Sequence, residues 1–290
     1  MPGIPVADPV IARKTWRTVE PVHGVIYFAP EAAASYAAVG LPAEAGYFAS
    51  RSAAMGSVGA EVVIATFFNF NPELVRRAIP AAWKAASPEK VLAARVAAAD
   101  ATLRRLLGDQ ATSADMARAA QLARVAADAA CDHLEGRPLF AAHAGLEWPD
   151  EPHLVLWHAQ TLLREYRGDG HVALLTAAGL SGIEALVVHA ATGEIPVTAL
   201  QSTRGWSDDQ WAAAVESVRS RGWLADGAEL HLSSTGAAQR QEVEDATDRL
   251  AVDAYAALGE EACGELRRLV RPFSQAVVSD RTFGFAGRTT

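Results

Sequence analysis

Two short stretches, Ser181-Gly182-Ile183-Glu184 and Ser207-Asp208-Asp209-Gln210, constrain the fold more than any other feature of the chain. Each reads as a capping box. A serine hydroxyl accepts from an amide of the first helical turn, and the side chain three residues on reaches back to the serine's own backbone N–H. Asn71-Pro72-Glu73 and Ser87-Pro88-Glu89 are helix starts of a related kind: a capping side chain, a proline at the first helical position and an acid in the first turn. The helix opened at Ser87 is expected to run to Leu107, with Gly108 as its stop. Another is expected over about Ser113–Glu135. Alanine is abundant throughout and loses no side-chain entropy on coiling, so it favours the same state.

Gly136 and Pro138 open a stretch rich in Pro, Gly, His and Trp that lasts to Pro152. This places a boundary between a helical half, residues 1–150, and a second module, residues 151–290. In the second module a helix is expected from Leu154 to Tyr166. Arg167-Gly168-Asp169-Gly170 should interrupt it, with a short helix from His171 to Ala178 and a turn at Gly179-Leu180 before the capped helix at Ser181. The helix at Ser207 carries Trp211, Val215 and Val218 on one face. Trp223-Leu224 and Leu230-His231-Leu232, around Asp226-Gly227, read as two short strands. A long closing helix follows from about Thr235 to Leu250, and a last one covers roughly Glu260–Val270. The expected fold is therefore mainly α: a helical N-terminal half plus a winged helix-turn-helix with a small two-stranded wing. Asn71–Trp83 and Ser207–Trp223 are both capped helices ending in tryptophan, which raises a degenerate duplicate of the module in the first half.

That order of elements resembles the MarR-type winged-helix proteins. The likeness rests on Trp211–Leu224, on the wing, and on Leu232-Ser233-Ser234-Thr235-Gly236 leading into Glu242–Leu250. The whole chain, through Tyr47-Phe48-Ala49-Ser50-Arg51 and Leu163–His171, is similar to a family of actinobacterial helix-turn-helix proteins. The resemblance implies the fold and leaves the activity open.

Charge bears on what such a fold does. The 290 residues carry a net charge of -8, whereas proteins held to DNA by phosphate neutralisation usually show a basic patch. The helix at Ser207 begins with Asp208 and Asp209, and the wing offers Asp226, Glu229 and His231 with no arginine or lysine. The motif thus admits DNA as a partner and the charge opposes it. Arg204, Gln210 and Arg219 are the candidate DNA contacts. Cys131 and Cys263 form no CxxC pair, no run of about 18 apolar residues occurs, and the N-terminus lacks a signal-peptide pattern, so a cytoplasmic protein without membrane contact is expected.

Candidate chemistry concentrates in Arg164–His171. Arg164 and Arg167 lie three apart and suit a carboxylate or phosphate through paired N–H donors. His171 suits a neutral base or donor, oriented by Asp169. Tyr27 and Arg51 join these as ligand-binding candidates, with the aromatic, glycine-rich stretch from Tyr47 to Phe70 as the apolar wall. His23, His158 and His171 are the candidate acid/base groups. Within Arg164–His171, helix punctuation explains every residue except His171 without a ligand. No metal site is expected, since Cys131-Asp132-His133 lacks a partner pair and HExxH is absent; no motif names a cofactor. The reading is a winged-helix protein that binds a small apolar or aromatic molecule between its halves in a regulatory role. The alternatives are an enzyme using the His/Arg/Asp residues at that junction and a homodimer formed through the closing helices.

Overall fold

The computed structural model describes residues 8–280. Fourteen α-helices lie within them: α1 (Pro9–Gly24), α2 (Pro30–Ala38), α3 (Gly46–Ser52), α4 (Ala60–Phe67), α5 (Pro72–Ala85), α6 (Pro88–Leu107), α7 (Ala114–Ala130), α8 (Pro138–Ala144), α9 (Pro152–Ala177), α10 (Gly182–Ala190), α11 (Val197–Arg204), α12 (Asp208–Ser220), α13 (Ser234–Ala256) and α14 (Glu260–Ser279). The starts read from local sequence are formed. The Asn71 side chain accepts from Glu73 N, those of Ser87 and Ser113 accept from Lys90 N and Met116 N, and both capping boxes are closed in both directions.

Three apolar clusters organise the chain. The largest packs α9 against α1, α7, α13 and α14, joining Val22, Met116, Leu156, Leu162, Leu266 and Val270 from distant parts of the sequence. A second fills the space between α2, α3, α4, α5 and the start of α6. The third binds α10, α11 and α12 around Trp211, Trp223 and Val187.

The expected two-stranded wing is not there. Among the described residues the β pairing is one isolated antiparallel bridge, Leu224 with Leu232, so the fold is all-helical. Burial of Trp223 and Leu224 and the capping of α13 explain the difference. Both side chains sink into the third cluster. The Ser233 hydroxyl donates to Gly222 O at 2.6 Å and accepts from Gly236 N at 2.8 Å. The loop between is pinched at its base, and Gly227 at φ 121° turns it before a ladder can grow.

A second expectation fails at Arg167-Gly168-Asp169-Gly170, where α9 continues unbroken for 26 residues, ~39 Å at 1.5 Å per residue. Tertiary contacts offset the weak helix propensity of the two glycines. The Asp169 carboxylate is no cap for its own helix; it accepts from Leu139 N (3.0 Å) and Phe140 N (2.9 Å) and so caps α8 from across the interface. Gly170 lets the Arg137 guanidinium come close, because a Cβ there would stand 2.8 Å from it and push it aside. That guanidinium lies 3.8 Å from the centre of the Tyr166 ring and donates to Tyr166 O and Leu250 O.

The structure also contains α11, which the sequence reading did not anticipate. It begins after Pro196 and stops at Gly205, which takes the left-handed conformation at φ 73°. With α12 it forms a helix, short turn and capped helix. The pair α4–α5 has the same outline, with helices of 8 and 14 residues against 8 and 13. The two turns meet. Asn71 N donates to Arg204 O, Asn71 Nδ2 donates to Gly205 O, both at 2.9 Å, and Trp206 Nε1 donates to Asn69 O at 3.0 Å. Beside them the α10 N-terminus presses on the Phe68 backbone at Gly182, where a Cβ would overlap the Phe68 carbonyl oxygen.

Candidate functional site

Where the turn-to-turn contact meets α9, a cleft of about 780 Å³ opens. One wall is Tyr47, Arg51 and the run Phe67–Phe70 from the first half. The facing wall is Leu180, Leu186 and Val188, with Trp223 behind. Arg164, Arg167, His171 and Leu175 of α9 form the floor, and Arg204 and Arg240 stand at its sides.

Glu165, buried on α9, organises the polar end. Arg51 Nη2 donates to both of its oxygens, at 2.9 and 2.8 Å, and Arg164 Nη1 donates to Oε1 at 3.0 Å. Burial pushes the Glu165 carboxyl up, but Arg51 and Arg164 outweigh it and hold the group at about 2. Arg164 Nε also reaches Glu20 Oε1 at 2.9 Å. Burial dominates at Glu20 and leaves its pKa raised. Arg51 Nη1 donates to the Tyr47 hydroxyl at 2.9 Å. Burial raises the Tyr47 pKa, yet Arg51, Arg164 and Arg204 together bring it below the usual phenol value, as a strongly positive surrounding requires.

The aromatic wall is continuous: the Tyr47 ring lies 6.1 Å from Phe67 and 5.4 Å from Phe70, centre to centre. Two guanidiniums rest on it, Arg51 over Phe67 at 4.4 Å and Arg204 over Phe70 at 4.7 Å. Arg51 is paired with Glu165. Arg204 has no ion pair among the described residues: its Nη1 donates only to the neighbouring Thr203 hydroxyl, and its buried Nε has no hydrogen-bond partner. Burial lowers its pKa, and Arg51 and Arg164 act in the same direction.

Of the expected ligand-contact residues, Arg51, Arg164, Arg167 and His171 line this one cleft. Arg164 and Arg167 do not act as a pair; Arg167 turns to Asp248 (2.8 Å) and Glu244 (3.4 Å). Asp169 reaches the cleft edge with its carboxylate held by α8. Tyr27 stands behind the wall, edge-on to Tyr47 at 5.2 Å. The three histidines stay apart. His23 closes a buried chain: Thr161 donates to Trp157 O, so His23 Nδ1–H donates to Thr161, and Nε2 accepts from the Tyr27 hydroxyl. Burial, with Arg164 and Arg95, pushes its pKa well down and keeps it neutral. His158 lies edge-on to Trp148 at 4.8 Å, with burial lowering it to about 4. His171 donates through Nδ1 to Thr247, whose own hydroxyl donates to Val243 O. No group of three His, Cys, Asp or Glu that could hold a metal occurs among the described residues.

Of the candidate DNA contacts, Gln210 and Arg219 are engaged within the chain and Arg204 is turned into the cleft. Gln210 Oε1 accepts from Ser207 N and Asn71 Nδ2, and Arg219 donates to Gly227 O and pairs with Glu216. The exposed face of α12 presents Asp208, Asp209 and Glu216. No single described helix is long and apolar enough to cross a membrane.

Each half thus carries a short helix, a turn and a capped second helix, and the two turns dock above a cleft, an outline compatible with a helix-turn-helix protein. Comparison with protein families shows the class: the helix-turn-helix family matches residues 12–284, and the chain belongs to it. No curated protein and no solved structure matches the chain. Sequence reading missed Arg204 as a cleft residue. The sequence held no signal for it: Arg204 ends a helix immediately before the glycine of a turn, a position whose direction only the docking of that turn decides.

Proposed function

We propose that this protein is a regulatory helix-turn-helix protein that binds a small molecule with an apolar or aromatic body in the cleft, and that occupancy sets the position of the α11–α12 pair. The observation that carries this reading is shared construction. The residues that wall the cleft, Phe68, Asn69 and Arg204, belong to the same two turns that dock against each other. A ligand touching both turns has different contacts in docked and undocked states, which is the condition for it to shift their balance. The size of the cleft and its aromatic and aliphatic walls, set beside a floor and sides rich in arginine, suit a small-molecule site. The α4–α5 pair is read as a degenerate copy of α11–α12. DNA contact is the output that family membership suggests, and the acids on the exposed face of α12 oppose it in the docked state.

The test is titration of the full chain with a neutral, environment-sensitive naphthalene dye, alongside Leu175→Trp, which fills the floor of the cleft. Saturable 1:1 binding that Leu175→Trp abolishes, with an unchanged unfolding midpoint, is expected. Absence of saturable binding, or binding indifferent to Leu175→Trp, sinks the reading.

A further inference from the structure

We infer that the molecule held in this cleft is an organic anion, with a carboxylate or phosphate head bound by Arg204 beside Arg164 and a flat apolar body laid against Phe67 and Phe70. The inference rests on the ligand-binding reading above and adds the chemical class of the ligand. It starts from a charge imbalance. Three guanidiniums (Arg51, Arg164 and Arg204) act on the Tyr47 hydroxyl, and the carboxylates paired with them are Glu165, held by Arg51 and Arg164, and Glu20, held by Arg164. Both carboxylates are already engaged: Glu165 by Arg51 and Arg164, and Glu20 by Arg164 and Gln160. The excess falls on Arg204, which contacts a ring face and its own neighbour.

A guanidinium partly removed from water without an acid partner is costly, and a protein interior normally supplies one. Here the missing partner has a place to stand, since Arg204 borders the cleft. A planar guanidinium offers parallel N–H donors that match two oxygens of a carboxylate or phosphate. The ring beneath it fixes the plane of that fork. The apolar body is matched by Phe67 and Phe70 on one side and by Leu180, Leu186 and Val188 on the other, with His189, Glu194 and Arg240 also lining the cleft.

Arg204 ends α11, and its carbonyl accepts from Asn71 N. An oxyanion on the Arg204 side chain therefore holds the residue whose backbone forms the turn-to-turn contact, and occupancy strengthens the docked state.

The experiment is isothermal titration of the full chain with three probes of one shape: 2-naphthoate, 2-naphthyl phosphate and 2-naphthamide. At least one anion is expected to bind ten-fold or more tightly than the amide, and the better of the two identifies the head group. Arg204→Met, which keeps an apolar stem over Phe70, should bring the anion-to-amide ratio close to one while amide affinity is retained; Arg204→Lys should keep most of the preference. Equal binding of all three probes, an anion preference that survives Arg204→Met, or failure of both anions while the neutral dye still binds overturns this inference alone. Loss of all binding, dye included, removes the ligand-binding reading and this inference with it. If Arg204→Met does not fold, the Arg204→Lys ratio and the wild-type anion-to-amide ratio decide the matter.

Discussion

The backbone N–H of Asn71 donates to the carbonyl of Arg204 at 2.9 Å, across 133 positions of sequence, and so joins the start of one capped helix to the end of a short helix in the other pair. Asn71 does two further things with one side chain. Its Oδ1 caps α5 by accepting from Glu73 N, and its Nδ2 donates to Gly205 O and Gln210 Oε1.

Those two roles separate in Asn71→Asp. The carboxylate keeps the cap, which suits a helix N-terminus, but turns an acceptor toward two acceptors. We expect faster amide hydrogen exchange at Gly205–Ser207 with α5 unchanged, and a stability loss of about 1–3 kcal/mol from the lost donor. Unchanged exchange at the turn would show that the docked contact does not hold it.

Gly182→Ala should be among the most damaging single-methyl additions in the chain. The Cβ would overlap the Phe68 carbonyl oxygen and stand 2.9 Å from its carbon and 3.0 Å from Asn69 Cα, all backbone atoms that cannot rotate away. A loss of roughly 1–3 kcal/mol is expected on urea unfolding. Gly264→Ala in α14 is the contrast. There the Cβ meets only the Arg267 guanidinium at 3.7 Å, and the gain in helix propensity should stabilise by about 0.5–1 kcal/mol. Effects of one sign at both positions would refute the close approach.

Glu165→Gln leaves Arg51 and Arg164 without their shared carboxylate in a buried setting, a change that costs about 3–5 kcal/mol when one partner of a buried pair is removed. The pH dependence has a definite sign. The folded pKa, at about 2, lies below the unfolded value, so the contribution is complete above the unfolded carboxylate range and disappears as pH falls through about 2. Urea midpoints of wild type and variant should therefore differ most near neutrality and converge in acid. A difference near neutrality of under about 1 kcal/mol would contradict the buried network.

Asp169 has the opposite sign. Burial raises it to about 6, above its unfolded value, so the stability it contributes is complete below about pH 4 and is lost as pH rises through 6. Asp169→Asn keeps a carbonyl oxygen for the Leu139 and Phe140 amides and cannot ionise. Wild type should lose on the order of 2 kcal/mol relative to the variant between pH 4 and pH 7. Parallel stability curves across that window would count against burial as the dominant influence on this carboxyl, since the two capping amides act the other way.

What was legible in the sequence was local. The capping boxes at Ser181 and Ser207, and the starts at Asn71 and Ser87, depend on residues within one turn of each other and form as written. The failures share another cause. Gly168 and Gly170 read as a break because propensity is local, while the Asp169 and Arg137 contacts that carry α9 through them come from α8 and α13. The wing reads as strands because Trp223, Leu224, Leu230 and Leu232 are apolar, but Trp223 and Leu224 are drawn into the cluster beneath. Arg51, Arg164, Arg167 and His171 were singled out for their chemistry, and they do line one cleft. Arg204 was assigned to a phosphate backbone outside, and only the docking of its turn shows that it faces in.

The unbroken course of α9 has a consequence for how this molecule melts. One rod carries Trp157 and Leu162 in the largest cluster at one end, and Arg164, Arg167 and His171 beneath the cleft further along. The cleft floor and the main core therefore belong to one cooperative unit. A molecule seated on that floor should delay the loss of the entire fold on heating, where a site on a detachable lobe would shift only an early, partial transition.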